Sequence, residues 1–198
     1  MNFNELGLNR FDFNIDDKKN LGRVSAQYRD LYKVITTEGE IMATLSGNNY
    51  FKSSKDNFPV VGDWVIYEQY NQESNGLIKR VLDRKTKISR NQAGKKEEEQ
   101  IIAANIDIIF IVTSLNQDFN PRRLERYLTI AWDSGAKPII ILNKSDLCKD
   151  INYYTEQVEN IAFGIKYIIT SCVDNKGINQ IREVLQPDKT AVLVGLPV

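Results

Sequence analysis

The chain has no histidine among its 198 residues and only two cysteines, Cys148 and Cys172. Without histidine there is no imidazole general base and no histidine-bound metal, and two thiols cannot complete a tetrahedral zinc site. Two cysteines are also too few for a disulfide framework, which fits a reducing compartment. No apolar run approaches the roughly 20 residues that span a bilayer. Met1 to Asn20 holds acids and amides but lacks the apolar core of a secretory signal. Net charge is missing as well: 26 basic residues balance 26 acidic ones. No overall field therefore points to nucleic acid or a membrane surface, and any such signal has to be local. With 42% apolar and 26% charged residues, the composition is that of a soluble globular protein, expected in the cytoplasm and away from membranes.

What is present falls into two grammars. Residues 1–20 form an N-terminal arm with Phe3, Leu6, Leu8, Phe11 and Phe13 spaced through polar residues; a short helix and a packed arm both fit. Residues 21–88 read as short strands separated by turn signals: Gly22 to Tyr28, a hairpin over 31–45, Val60 to Tyr67, and Leu77 to Leu82. Such spacing suits a small barrel, with the oligonucleotide/oligosaccharide-binding (OB) type the commonest fit and an SH3-like barrel also compatible. Residues 89–100 read as a basic and acidic linker.

Across that junction positive charge is concentrated: Lys79, Arg80, Arg84, Lys85, Lys87, Arg90, Lys95 and Lys96, against the single acid Asp83. A solvated linker explains such a run. So does contact with RNA phosphates, where lysine and arginine displace condensed counterions. Glu97-Glu98-Glu99 follows at once and partly cancels the field at long range.

From residue 101 to 198 strands alternate with helices. Ile106 to Val112 is the near-continuous apolar run of a parallel strand buried on both faces. Asn120-Pro121 is a helix start, with Leu124, Tyr127, Leu128, Ala131 and Trp132 predicted on one face and Gly135 ending the helix. A strand over Lys137 to Leu142, a helix over Ile151 to Phe163, a strand over Lys166 to Thr170, a helix over Ile178 to Leu185 and a strand over Thr190 to Val194 complete the pattern. This predicts an α/β half with a parallel sheet and right-handed crossovers.

The strand ending at Leu142 runs straight into Asn143, Lys144, Ser145 and Asp146. In an open parallel sheet, ligands bind beyond the carboxyl ends of the strands. Asn-Lys-x-Asp is the spacing by which GTPases recognise guanine. One carboxylate can accept both N–H groups on guanine's Watson–Crick edge, whereas adenine would leave it unpaired, and unpaired buried polar groups give such pockets their discrimination. A polar turn after a strand would use the same residue types. Ser171-Cys172 lies at the carboxyl end of the next strand, where a backbone N–H could meet guanine O6 and the serine hydroxyl could steady the loop.

Phosphate binding needs Gly-x-x-x-x-Gly-Lys-Ser/Thr at a helix start. None occurs: Gly94-Lys95 has Ser89 where the first glycine belongs and Lys96 after it. No Asp-x-x-Gly stands directly after a strand as a magnesium and water-positioning loop. Thr190-Ala-Val-Leu-Val-Gly195 nevertheless has the form of a strand leading into such a loop, with Gly195 at its start.

Four stretches carry a resemblance: Val61-Gly62-Asp63-Trp64-Val65, Gln100-Ile-Ile-Ala-Ala-Asn-Ile-Asp107, Phe119-Asn-Pro-Arg-Arg-Leu-Glu-Arg-Tyr-Leu128 and Asn143-Lys-Ser-Asp146. From about Leu21 onward the chain resembles the ribosome small-subunit-dependent GTPase A family (RsgA, also YjeQ or YloQ), circularly permuted GTPases in which an OB barrel precedes the GTPase domain. The resemblance implies that Asn143, Lys144 and Asp146 bind guanine and that Ser171 and Cys172 occupy the second base-contacting loop. It implies a small ribosomal subunit and its rRNA as partners, with Lys79, Arg80, Arg84, Lys85, Lys87 and Arg90 as candidate RNA contacts, and a role in late subunit maturation with GTP hydrolysis. Beyond the Gly195 position the family has a phosphate loop, a switch, Asp-x-x-Gly and a cysteine/histidine zinc domain. The chain is therefore expected to be a truncated or frameshifted member. Such a chain would be a monomer that binds GTP or GDP weakly, hydrolyses none, and has no ligands for the magnesium and zinc of the full-length family. The alternative is a non-enzymatic rRNA-binding module with a vestigial nucleotide domain. An unrelated Rossmann-like enzyme fits less well, because no Gly-x-Gly-x-x-Gly follows a strand.

Overall fold

Short β-branched segments bounded by turns roll up into a closed barrel of β1 (Leu21–Gln27), β2 (Tyr32–Thr36), β3 (Gly39–Leu45), β4 (Trp64–Gln69) and β5 (Asn75–Val81). The structure is a computed structural model and describes residues 2–13, 20–47, 54–69, 75–91 and 99–195. The strand order is β1-β2-β3-β5-β4; β3 and β5 run parallel and β4 closes antiparallel on β1. This is the OB-type arrangement, which decides between the two barrels the sequence allows. Register shifts at Val24/Ala26 and Ile66/Tyr67 supply bulges, which raise the local twist that closure of so small a barrel needs. Alternate residues fill the interior: Val24, Val34, Ala43, Val65 and Ile78 are all essentially inaccessible.

Among the described residues 2–13, the N-terminal stretch is an arm with a short 3-10 turn, Leu8–Arg10, and no α-helix. Phe3 packs edge-on against Trp64 at 5.3 Å, and Leu21 and Leu82 complete the cluster. Buried Arg23 fastens the arm, donating from Nη1 to the Leu6 carbonyl, from Nε to the Gly62 carbonyl (3.2 Å) and from Nη2 to the Asn105 carbonyl (3.3 Å). Burial brings its guanidinium down to about 10, Arg10 adds to that fall, and Asp63 opposes it.

Positions 89–100, expected to be a linker, differ. Lys87–Asn91 (β6) and Glu99–Ala104 (β7) pair antiparallel, and residues 92–98 between them lie outside the described residues. Charge dominates the local composition, yet Ile88 and Ala104 are buried and Ala104 N–H reaches the Val61 carbonyl at 2.9 Å. The division between the two compact units accordingly falls between Asn105 and Ile106.

The second unit is a four-stranded parallel sheet, order β10-β9-β8-β11, of β8 (Ile108–Ser114), β9 (Lys137–Asn143), β10 (Tyr167–Ile169) and β11 (Ala191–Gly195). Its helices are α1 (Pro121–Ser134), α2 (Ile151–Ile161) and α3 (Ile178–Val184). Asn120 caps α1 through its side chain, Pro121 follows, and Gly135 ends the helix in the left-handed region. Leu124, Leu128 and Ala131 form the buried stripe of α1. Trp132, predicted on that face, is 56% exposed, and Tyr127 is only half-buried, because both flank the stripe rather than lie on it. On one sheet face Ile108, Phe110, Ile139, Ile141 and Ile168 form a core under Ile181 and Val184. Among the described residues no helix is long and apolar enough to cross a membrane.

Candidate functional site

An apolar strand carries the chain to the sheet's carboxyl edge, where the backbone has to turn. Ile139 to Leu142 are buried, and Asn143 closes β9 with its carbonyl accepting from Leu115 N–H at 2.8 Å. Lys144 then takes a left-handed conformation (φ 64°), uncommon outside glycine, and reverses the direction of the chain. A 3-10 turn over Ser145–Leu147 follows, with Leu147 N–H donating to the Lys144 carbonyl at 3.1 Å. This places Asp146 on the exposed crest, Lys144 half-buried, and Ser145 beneath them. The buried Ser145 hydroxyl has no hydrogen-bond partner among the described residues.

The neighbouring strand brings in the second loop. Ile169 stands opposite Leu142, and Thr170 N–H continues the ladder to the Leu142 carbonyl at 2.8 Å. Thr170 then ties the two loops together. Its carbonyl accepts from Ser145 N–H at 3.1 Å and its hydroxyl donates to Asn143 Oδ1 at 3.1 Å. The exposed Cys172 places Sγ 3.8 Å from the same Oδ1. Ser171 is fully buried: its N–H donates to the Lys176 carbonyl, its own carbonyl accepts from Lys176 N–H, and Oγ accepts from Asp174 N–H at 3.1 Å. The serine thus closes its loop, and its N–H is already engaged. Gly177 completes the closure at φ 77°, where a Cβ would lie 2.3 Å from the Ile169 carbonyl oxygen.

The sequence-predicted residues are therefore sorted by the fold. Asn143, Lys144, Asp146, Ser171 and Cys172 come together at the carboxyl ends of β9 and β10. Gly195 ends β11, across β8 from β9, and its carbonyl accepts from the Tyr127 hydroxyl at 3.2 Å. A cleft of about 570 Å³ adjoins the turn, lined among others by Leu115, Asn116, Asp118, Leu147, Cys148 and Tyr154; Asn143, Asp146 and Ser171 are not in its wall.

The basic run separates into different roles. Arg84 grips Asp63 with Nε to Oδ1 at 2.7 Å and Nη2 to Oδ2 at 2.6 Å, and donates further to the carbonyls of Asp56 (2.7 Å) and Phe58 (2.8 Å). Asp63 is wholly buried and also accepts from Val60 N–H. Burial pushes its carboxyl above the ordinary carboxylate range, while Arg84 pulls it down. Lys79 pairs with Glu68 at 2.8 Å. Lys85 Nζ donates to the Arg10 carbonyl and lies 5.0 Å from the Phe11 ring centre. Arg80 on β5 and Lys87 on β6 are exposed, and Arg90 is also on β6.

Three residues with structural roles carry little sequence signal. Asn105 holds the end of β7 in a left-handed conformation (φ 56°), donating from Nδ2 to the Gly62 carbonyl and accepting at Oδ1 from Lys85 N–H. Asp107 Oδ2 accepts from Thr190 N–H at 2.8 Å and its carbonyl accepts from Lys137 N–H, pinning the starts of three strands. Both lie in the Ala-Ala-Asn-Ile-Asp stretch, so that motif is architectural. Thr170 is visible in sequence only as a strand end.

With this geometry in view, comparison with known proteins is direct. Residues 81–196 match the family described as RsgA GTPase. The chain is 48% identical over 174 residues to the small ribosomal subunit biogenesis GTPase RsgA 1 of Listeria innocua, covering 88% of this chain and 48% of the relative. It is 37% identical over 207 residues to the small ribosomal subunit biogenesis GTPase RsgA of Syntrophotalea carbinolica, covering 98% of this chain and 57% of the relative. The chain spans about half the length of the curated relatives it matches. Among solved structures, YloQ, a circularly permuted GTPase, superposes with a TM-score of 0.63 at 25% identity, over 89% of this chain and 59% of that one. YjeQ from Thermotoga maritima shares the fold with a TM-score of 0.68 at 23% identity, over 89% and 60%. The chain belongs to the RsgA GTPase family.

Proposed function

We propose that these 198 residues form the base-recognition half of a guanine-nucleotide site in a ribosome-associated GTPase acting on the small subunit. The supporting observation is the junction of the two loops, where Thr170 and Cys172 both reach Asn143 Oδ1. In this reading Asp146, exposed on its turn, accepts the two N–H groups of guanine's Watson–Crick edge. Lys144 lies along the flat face of the base. Asn143 contributes its remaining amide edge. Ser171 shapes the second loop, and because its N–H is engaged with Lys176, an N–H donor for guanine O6 falls to Cys172 or the residue after it.

Phosphate contacts supply much of nucleotide affinity and position the attacked phosphorus. No Gly-x-x-x-x-Gly-Lys-Ser/Thr lies within these residues. A polypeptide of residues 1–198 is therefore expected to bind GTP or GDP weakly and to show no measurable hydrolysis. Titrating fluorescent GTP and ATP analogues into the wild type and Asp146→Asn tests the base assignment: a preference for GTP that the substitution removes supports it, and equal binding of the two nucleotides defeats it.

A second element of the reading is rRNA contact through the barrel and the segment that follows it. The exposed side chains of Arg80 and Lys87 favour it. Arg84 is left out, since four donor contacts hold it to the loop around Asp63. Binding to small subunits that weakens steeply with salt and persists without nucleotide is the expected result.

A further inference from the structure

The loops that leave β8 and β9 start together and then part. Ser114 stands opposite Asn143, and Leu115 N–H donates to the Asn143 carbonyl at 2.8 Å, so the two roots are tied. Beyond them the first loop runs to the cap of α1 at Asn120 and the second to the cap of α2 at Asp150. The cleft of about 570 Å³ lies between these loops. That volume falls within the roughly 300–1,000 Å³ of ligand pockets. Its floor is apolar, with Leu115 buried and Cys148 half-buried. Tyr154 forms one wall, its ring edge-on to Phe119 at 5.3 Å and to Tyr153 at 5.2 Å. Ring contacts on both sides hold that wall in place.

The mouth combines exposed hydrophobic surface with carboxylates. Leu147 and Tyr153 are 65% and 58% exposed, although both are large hydrophobic side chains. Beside them stand Asp118 from the first loop, Asp150 from the second, and the ammonium of Lys149. Asn116 shapes the first loop, its Oδ1 accepting from Ser114 Oγ at 2.7 Å and from Asp118 N–H at 2.9 Å. No hydrogen bond or ion pair engages the Asp118 carboxylate among the described residues. Asp150 commits Oδ1 to Tyr153 N–H at 3.1 Å and keeps Oδ2. An anion, RNA phosphate included, would face both carboxylates here. A wholly apolar side chain would bury them without partners. A cation on a long apolar stem suits both halves of the mouth. Of the two such side chains arginine fits better, because its planar guanidinium is weakly hydrated, stacks on tyrosine and pairs with a carboxylate as a fork. We propose that this cleft binds an arginine side chain presented by a segment of a basic partner protein. Asp118 and Asp150 pair with the head, the Tyr153 ring covers its face, and Leu147 and Cys148 take the stem. This binding does not depend on what Asp146 recognises.

The experiment titrates the isotope-labelled chain, all 198 residues, with the acetylated amide of tetra-arginine while backbone amide signals are followed. Tetra-lysine and a short oligouridylate are titrated in parallel. Tetra-arginine is expected to move the signals of residues 116–118 and 147–154 together, and to saturate. Tetra-lysine is expected to bind there about threefold more weakly, because an ammonium lacks the fork and stacks less well. Asp118→Asn is expected to weaken tetra-arginine about threefold, the size of one exposed ion pair. Tyr153→Ala, which removes an exposed ring, is expected to weaken it about threefold as well. Asp133→Asn removes an exposed carboxylate on α1 outside the cleft and is expected to change nothing. Equal affinity for the two peptides, or equal effects of Asp118→Asn and Asp133→Asn, overturns the proposal and leaves general charge attraction. Shifts that spare either loop, or no saturable shift with any ligand, overturn it too. Oligouridylate moving these residues in place of the peptide does the same and assigns the cleft to nucleic acid.

Discussion

Gly62 sits at φ 95°, and a Cβ there would lie 2.1 Å from the Ala104 carbonyl oxygen. Gly62→Ala therefore combines a disfavoured backbone with a backbone clash and is expected to cost about 2 kcal/mol or more by urea denaturation. Next to it, Arg84 and Asp63 form a pair whose side chains are 12% and 0% exposed. Arg84→Met leaves a buried carboxylate without its counterion, an expected loss of about 3–5 kcal/mol; a loss below about 1 kcal/mol would mean that water reaches Asp63. Ser145→Ala has the opposite sign. Its buried hydroxyl lacks a partner among the described residues, so removal is expected to leave stability unchanged or raise it by about 1 kcal/mol. Residue placements were legible where the residues are contiguous, as in Asn143 to Asp146 at the end of β9. They were not legible where the partner is distant in sequence: Arg84 counts as one more charge in a basic run until the fold brings it to Asp63.

The parallel strands were readable because burial on both faces leaves continuous apolar runs such as Ile108 to Val112. α1 was readable from its cap, proline and terminal glycine. β6 and β7 were hidden because their burial rests on a few positions, Ile88 and Ala104 among them, within charged sequence. Trp132 was misplaced because a helical stripe is narrower than a list of apolar residues suggests. β11 shows what an edge does. It pairs with β8 on one side, has no strand on the other among the described residues, and exposes Leu193 by 73%. A short apolar edge without lysine or proline invites strand pairing with another molecule. In contrast to the monomer expected from the sequence, this edge predicts that the 198-residue polypeptide self-associates with rising concentration, and that Leu193→Lys reduces that association in sedimentation velocity without altering the far-ultraviolet spectrum. Association unchanged by the lysine would place the contact elsewhere.

At the scale of the molecule, each of the two units has its own core: the barrel interior and aromatic end in residues 1–105, and the sheet with its helices in residues 106–198. Residues 1–105 alone are expected to unfold cooperatively, as a domain with its own core does; a non-cooperative melt would show that the barrel depends on the rest of the chain. The central claim is that the loops after β9 and β10 act as one base pocket. It is tested most directly by adding GDP or ADP to the isotope-labelled chain and following its backbone amide signals. GDP is predicted to move residues 143–148 and 171–176 together, ADP to leave them in place, and Asp146→Asn to abolish the GDP response. Equal responses to the two nucleotides, or shifts that spare either loop, would contradict it.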